Sequence, residues 1–489
     1  MLACLCLKPI LPPRQVSIIC IILDFKAMMT HRVKIEAFLR KELARENPHR
    51  NPAIIFLMTK IQELYWTITK LIGLERLHDG KWRAPHPTEA ETLRQDFIGD
   101  APTPPANKRI FIDVTATHRY RKHTGVQRVV REIAHACVEN GSAIPVFIEN
   151  EKLFSHFRHE NLSYEYELMA GDKLFLLDSG WGDWLEYVPI IEKAHAVGAQ
   201  IIGCLYDIIP LLYPDAVERA NGSAFEQWFQ HVLLKCDGLI CISESVAREF
   251  IDHVAQTAVG CAVPPRLGWF QLGADFKSLS NDDASEIAQS IVLQDPSFFM
   301  SVGTVEPRKA YPVALEAFER LWAQGFASHY VIVGRPGWNT KVLQNQILSH
   351  KEYGRKLFWL NNASDADLAL LYKHARALIF PSFAEGFGMP LIEAMYYGAQ
   401  VIASDIPVFK EVGGKDVTYF SLLDVNSLAE AIKTVNAPKK NILPLHVMSW
   451  RQSASAAIEM IRNEHYQFSL DALQREIAAK CVVPDETVF

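Results

Sequence analysis

The chain has 489 residues, more than one ordinary domain holds, so two or three domains are expected. Hydrophobic residues make up 49% and charged ones 22%, a globular balance that excludes extensive disorder. The net charge of −6 excludes a global basic field that would recruit nucleic acid, and nine cysteines without a C-x-x-C pair support neither a disulfide framework nor a zinc site. That usage fits a reducing cytosol.

From the amino terminus, residues 16–23 (VSIICIIL) are apolar but far short of the roughly 20 residues that span a bilayer. Lys8 and Arg14 precede them, yet no small-x-small cleavage site follows, so no export signal is expected. Met28 and Met29 offer alternative starts. Residues 53–77 place Ile54, Met58, Ile61, Leu64, Ile68, Leu71 and Ile72 at the spacing of an amphipathic helix. Two settings suit it: packing on the main body or a partner, or lying at a membrane interface, where Lys60, Lys70, Tyr65 and Trp66 fit a headgroup boundary. This helical extension, residues 1–107, ends in a proline-rich linker at 101–105.

From Arg109 short β-branched runs alternate with helical segments. Strands are expected at 110–114, 173–177, 200–205, 238–242 and 267–272, with helices such as 125–136 and 243–253 between them. A second series follows: 298–302, 330–333, 357–360, 377–380, 401–403 and 417–420. Each run ends in a turn bearing glycine or proline, and a helix usually follows. The pattern predicts an α/β chain with two doubly wound domains, 108–280 and 281–450, and C-terminal helices at 451–489 packing back on the first. Ligands of such sheets bind beyond the carboxyl ends of the strands, so the loops there should carry function.

One of those loops is "PSFAEGFGMPLIEAM", residues 381–395. Pro381 ends a strand, and Pro390 suits the first turn of a helix. The turn Gly386-Phe387-Gly388-Met389 would let an anion approach the helix's free N–H groups, with Glu385 before it and Glu393 one turn in. Alone, Glu393 could equally be an acid favoured by a helix N-terminus. A second loop, Ser301-Val302-Gly303-Thr304-Val305-Glu306-Pro307-Arg308-Lys309, sets two adjacent cations at a strand end. An arginine fork beside a lysine point charge suits a diphosphate.

These segments carry a family resemblance. "SVGTVEPRK", "YVIVGRPGW", the long stretch from "ASDADLALLY" to "FKEVGG", and in the first half "DVTATHRYRKHTGVQRVVREIA" and "LYDIIPLLYPD", resemble the retaining glycosyltransferases of family four, whose two-Rossmann architecture is called GT-B. The resemblance covers residues 108 to about 460. It implies that Arg308 and Lys309 hold a donor diphosphate, that Gly303 and the backbone from Gly388 through Met389 to Leu391 complete the cradle, and that Gly125 closes over the phosphates. Glu385 would contact the transferred sugar, Glu393 the nucleotide ribose, and Asp207 the sugar or acceptor. Tyr206 stands where many relatives carry histidine, which leaves open which first-half residue meets the reacting sugar.

The resemblance further implies a metal-independent hexosyl transfer that needs no cofactor beyond the nucleotide diphosphate sugar. The leaving phosphate oxygen would accept the acceptor's proton, or Glu385 would act as nucleophile. Similar first-half motifs occur in bacterial enzymes building O-antigen or capsular polysaccharide, so GDP-mannose is the leading donor and a glycan or lipid-linked glycan the acceptor. The setting expected is cytoplasmic, with peripheral contact at the membrane's inner face through 53–77. A sugar-nucleotide epimerase of the same architecture fits "EGFGMPLIEAM" poorly. A catalytically silent scaffold is disfavoured by the intact Arg308, Lys309, Glu385 and Glu393. A nicotinamide dehydrogenase is disfavoured because no G-x-G-x-x-G follows strand 110–114.

Asp365-Ala366-Asp367 mimics a D-x-D metal motif, but it follows Ser364 at the start of a helix, where such residues cap. Asn362 and Ala363 beside it are candidates for a base pocket. His118, His123 and His231 lack metal-ligand spacing, and Trp181, Trp184 and Trp228 are expected to pack in the core.

Overall fold

The computed structural model describes residues 109–120, 124–157, 160–257, 264–274, 284–435 and 447–480, with Glu75–Arg76 and Trp82–Arg83. The chain divides into two compact units, Met1–Ala90 and Glu91–Phe489. In the first, β1 (Glu75–Arg76) pairs antiparallel with β2 (Trp82–Arg83). The end of the expected 53–77 helix is therefore extended at Glu75–Arg76, which pair with Trp82–Arg83. The rest of that helix, residues 16–23, the linker at 101–105, His123 and the meeting point near 280 lie outside the described residues.

The second unit holds two sheets. The first is built from β3 (Ile110–Asp113), β4 (Ile144–Glu149), β5 (Lys152–Phe157), β6 (Glu160–Tyr166), β7 (Lys173–Leu176), β8 (Gln200–Leu205), β9 (Gly238–Cys241), β10 (Arg266–Trp269) and β17 (Phe468–Ser469). Its order is β17-β10-β9-β8-β7-β3-β4-β5-β6. The second holds β11 (Phe299–Val302), β12 (Tyr330–Val333), β13 (Leu357–Leu360), β14 (Ala377–Phe380), β15 (Gln400–Ser404) and β16 (Thr418–Phe420), in the order β13-β12-β11-β14-β15-β16.

Every pairing in the second sheet is parallel. Its strands are short, apolar and mostly buried because helices cover both faces. The first sheet is parallel only in its middle. Its edges are antiparallel, with β5 and β6 folding back on β4 and β17 running against β10. The sequence pattern does not show these antiparallel edges: Asn150 and Glu151, both with positive φ, turn the chain between β4 and β5 without a glycine to announce it.

One hydrophobic cluster spans both halves. Ile112, Val130 and Phe270 of the first sheet's side belong to the same buried cluster as Met300, Phe380 and Leu391 of the second. Helix Trp450–Asn463 buries Trp450, Ala457 and Ile461 in that cluster and packs against helix Gly125–Glu139. Helix Leu470–Lys480 packs against helix Glu244–Gln256. The carboxyl-terminal segment thus returns to the first sheet. No helix among the described residues is long and apolar enough to cross a membrane.

Candidate active site

In each sheet the strand order reverses at one place. In the second sheet the chain runs from β11 outward through β12 and β13, then returns to β14 on the other side of β11. That switch point opens a crevice at the strand ends. Arg308 and Lys309 come from the 3-10 turn Pro307–Lys309 after β11, and Glu385 from the loop after β14. The two loops are stitched together where Phe383 N–H donates to Arg308 O at 3.0 Å.

Four charges meet there. Arg308 Nη1 donates to Glu385 Oε2 at 2.6 Å and to Ala384 O at 3.2 Å, while its Nη2 lies 2.7 Å from Glu306 Oε1. Lys309 Nζ lies 2.5 Å from Glu385 Oε1 and 5.1 Å above the Phe380 ring. Burial opposes ionisation of Glu385, yet Arg308 and Lys309 overcome it and hold the carboxyl down to about 2. Burial lowers the Lys309 ammonium despite Glu385 beside it. Glu306, immediately before Pro307, is a cluster member that the sequence did not single out.

Around these charges the backbone is tight. Gly303 adopts φ +137, and a Cβ on Gly334 would lie 1.9 Å from Gly303 O, so the loops after β11 and β12 touch backbone to backbone. Helix Met389–Tyr396 starts one residue earlier than the proline implied, because Gly388 takes the left-handed N-cap at φ +98. The Leu391 N–H is donated to Gly388 O at 2.9 Å and Pro390 has none. What this turn can offer an anion therefore comes from Gly388 and Met389.

The first half meets the second at this spot. A Cβ on Gly386 would fall 1.9 Å from Tyr206 O and 3.3 Å from Asp207 Cβ, and Ser243 Oγ donates to Gly386 O at 2.8 Å. Asp207 Oδ1 accepts from Ile209 N–H at 3.0 Å, and burial raises its carboxyl while Arg308 opposes that. Tyr206 points away: its hydroxyl donates to Leu177 O at 2.8 Å inside the first half's core. Tyr213 stacks edge-on against Phe383 with centroids 5.4 Å apart, closing one side of the seam. Further out, Glu411 accepts from Glu244 N–H and Ser245 N–H, each at 2.8 Å, and caps a first-half helix from the second half.

Glu393 is placed apart from Glu385. Its Oε1 accepts from Arg128 Nη1 at 2.7 Å and its Oε2 from Tyr372 O–H at 2.9 Å. Arg128 lies in helix Gly125–Glu139, one turn past Gly125, and the sequence signal that could have found it is its place in "HTGVQR".

The first sheet's own switch point, between β3 and β7, holds a feature sequence reasoning missed. Asp113 ends β3 and Asp178 follows β7, both buried. Tyr187 O–H donates to Asp113 Oδ2 at 2.9 Å, Thr115 N–H to Asp113 Oδ1 at 3.0 Å, and Thr117 N–H to Asp178 Oδ2 at 2.5 Å. Burial, with Asp178 adding to it, raises the Asp113 carboxyl to about 7. A charged residue closing an apolar strand was the available cue.

The D-x-D mimic is a cap. Ser364 Oγ accepts from Asp367 N–H at 3.1 Å and Asp367 Oδ2 accepts from Ser364 N–H at 2.8 Å, a reciprocal capping box. Asn362 is exposed in the preceding loop, with Ala363 half-buried. His118 stacks on Phe147 and His231 on Trp184, while Trp228 is buried against Trp181. Among the described residues no group of three or more His, Cys, Asp or Glu is placed to hold a metal.

Two doubly wound halves whose strand-end loops meet form the two-Rossmann arrangement called GT-B. Residues 283–440 match the model of the family Glycosyl transferases group 1. The chain is 33% identical over 373 residues to the serotype-specific mannosyltransferase WbdA of Escherichia coli, covering 71% of this chain and 44% of that protein. It is 28% identical over 317 residues to the O-antigen chain mannosyltransferase B of Escherichia coli, covering 62% of this chain and 77% of that one. The chain thus spans less than half the length of the WbdA relative. Among solved structures it is similar to sucrose-phosphate synthase from Thermosynechococcus elongatus, at TM-score 0.47 and 16% identity, over 76% of this chain and 98% of that one.

Proposed function

We propose that this protein is a retaining glycosyltransferase that moves a hexosyl unit, mannose or a related deoxyhexose, from a nucleotide diphosphate sugar to a glycan or lipid-linked acceptor in polysaccharide biosynthesis. The observation that carries it is the meeting of Arg308, Lys309 and Glu385 at the switch point of the second sheet, pressed against Asp207 of the first half. The mannosyltransferase names of the relatives support the sugar, and GDP-mannose is the donor of first choice. On this reading 108–280 is the acceptor-side domain and 281–450 the donor domain.

The chemistry follows from charge. Breaking the bond between anomeric carbon and diphosphate leaves negative charge on the phosphate and oxocarbenium character on the sugar. Lys309, buried, and Arg308, half-buried, both fixed in advance by their ion pairs, stabilise the first, a term worth several kcal/mol in a site closed to water. Gly388 and Met389 N–H groups add to it. Glu385 is held ionised by the same cations and faces the second, accepting hydrogen bonds from the sugar's hydroxyls. The acceptor oxygen bonds the anomeric carbon on the face the phosphate leaves, and the departing phosphate oxygen takes its proton. Asp207 lies where the acceptor arrives and Gly125 where the first half covers the phosphates. Glu393 accepts from the ribose hydroxyls.

The test is a thermal-shift screen of the full chain against UDP-, GDP-, ADP- and dTDP-sugars. A shift with GDP-mannose is expected, and no shift with any donor overturns the proposal. For peripheral contact at the inner face of a cytoplasmic membrane, the support is the apolar stripe of 53–77. Deleting residues 1–100 should move the protein from a pelletable to a soluble fraction, and an unchanged distribution removes that part.

A further inference from the structure

Glu393 is 6% exposed, and a carboxylate so buried stays ionised only with a partner of opposite charge. Burial raises its pKa, and the charges acting on it are few. From its own half, Lys309 favours ionisation and Asp365 opposes it. Tyr372 donates a hydrogen bond, and both Tyr372 and Tyr397 are phenols whose own ionisation is suppressed by burial. The nearest cation, Arg128 at 2.7 Å, comes from the other half.

The link is not what holds the halves together. Ser243 to Gly386 O and Glu411 to the amides of Glu244 and Ser245 do so elsewhere along the seam. What Arg128 adds is specific to one carboxylate. Arg128 takes one oxygen of Glu393 and Tyr372 the other, which fixes the plane of the group. An ionised carboxylate offers about four acceptor positions, so two remain for a vicinal diol.

We propose that Arg128 is a positioning residue that reaches from the first half to keep Glu393 an oriented anion, so that recognition of the donor's ribose by the second half depends on a side chain of the first. This rests on the reading of Glu393 as the ribose contact. The nucleoside site is then incomplete in the second half alone. Arg128 acts through Glu393 and needs no contact with the transferred sugar.

The experiment is calorimetric titration of the full chain with GDP and, separately, with inorganic pyrophosphate, for wild type, Arg128→Ala and Arg128→Lys between about pH 7 and about pH 9. Pyrophosphate probes Arg308 and Lys309 without Glu393. Arg128→Ala should bind GDP about tenfold more weakly at neutral pH and recover as the pH rises, because Glu393 then ionises without help. Arg128→Lys, which keeps the charge, should stay near wild type and show no such recovery. Pyrophosphate affinity should match wild type in both. Equal GDP affinity of wild type and Arg128→Ala across the range overturns the proposal, as does a parallel loss of GDP and pyrophosphate, which marks a structural role. If wild type binds pyrophosphate but not GDP, the ribose reading of Glu393 falls and this inference with it; if wild type binds both and Arg128→Ala is unaffected, this inference falls alone.

Discussion

Replacing Glu385 by glutamine separates the roles assigned to the charge cluster. The variant keeps the side chain's size and removes one charge from a partly buried group of two cations and two carboxylates. Wild-type Glu385 is held from its ordinary 4.5 down to about 2, and at about 1.4 kcal/mol per pH unit that is about 3 kcal/mol favouring the charged form. Because the folded pKa is depressed, this stability is fully present above pH 4.5 and is lost as the pH falls through about 2. Chemical denaturation should therefore find Glu385→Gln less stable by about 3 kcal/mol at neutral pH, with the gap narrowing below about pH 4. A donor diphosphate competes with Glu385 for Arg308 and Lys309, so the variant should bind free nucleoside diphosphate at least as tightly as wild type. Its turnover should fall by about a hundredfold or more, since the sugar loses its charged partner. Turnover equal to wild type would refute the role of Glu385, and loss of nucleotide binding in step with turnover would refute the separation of sugar and phosphate contacts.

Two further outcomes follow from the packing. Asp113 is raised from 3.8 to about 7, so its contribution is fully present below pH 3.8 and is lost as the pH rises through about 7. Asp113→Asn should flatten this slope in denaturation curves between about pH 4 and about pH 7, and identical slopes would contradict the buried-acid assignment. Gly386→Ala places a Cβ 1.9 Å from Tyr206 O, so it should cost about 1–3 kcal/mol and reduce transfer by prising the halves apart at the seam. Unchanged stability and activity would contradict the close approach.

The second half was the more legible part of the sequence. Its strands are buried on both faces and read as short apolar runs ended by glycine or proline, as in Ala377–Phe380 before Pro381. The first half hid its edges: Lys152–Phe157 and Glu160–Tyr166 mix charge and aromatic residues without a clean period. Phe468–Ser469 is two residues long and pairs with Arg266 and Leu267, about two hundred positions back. Local pattern cannot show such a partner. The same holds in the site. Arg308, Lys309, Glu385 and Glu393 announce themselves because each belongs to a contiguous motif. The Arg128–Glu393 pair spans 265 positions and the Glu411 cap about 166, so only the fold brings them together. Ser364 and Asp367 were read as a helix start because a capping box is local chemistry, complete within four residues.

The most direct measurement incubates the full chain with GDP-mannose and an oligosaccharide acceptor ending in mannose, then follows GDP release and reads the new linkage by NMR. A retaining transferase built on Arg308, Lys309 and Glu385 gives release that depends on the acceptor and an α-linked product. A β-linked product would contradict the mechanism, and no nucleotide release from GDP-mannose or from any UDP-, ADP- or dTDP-sugar would contradict the function itself.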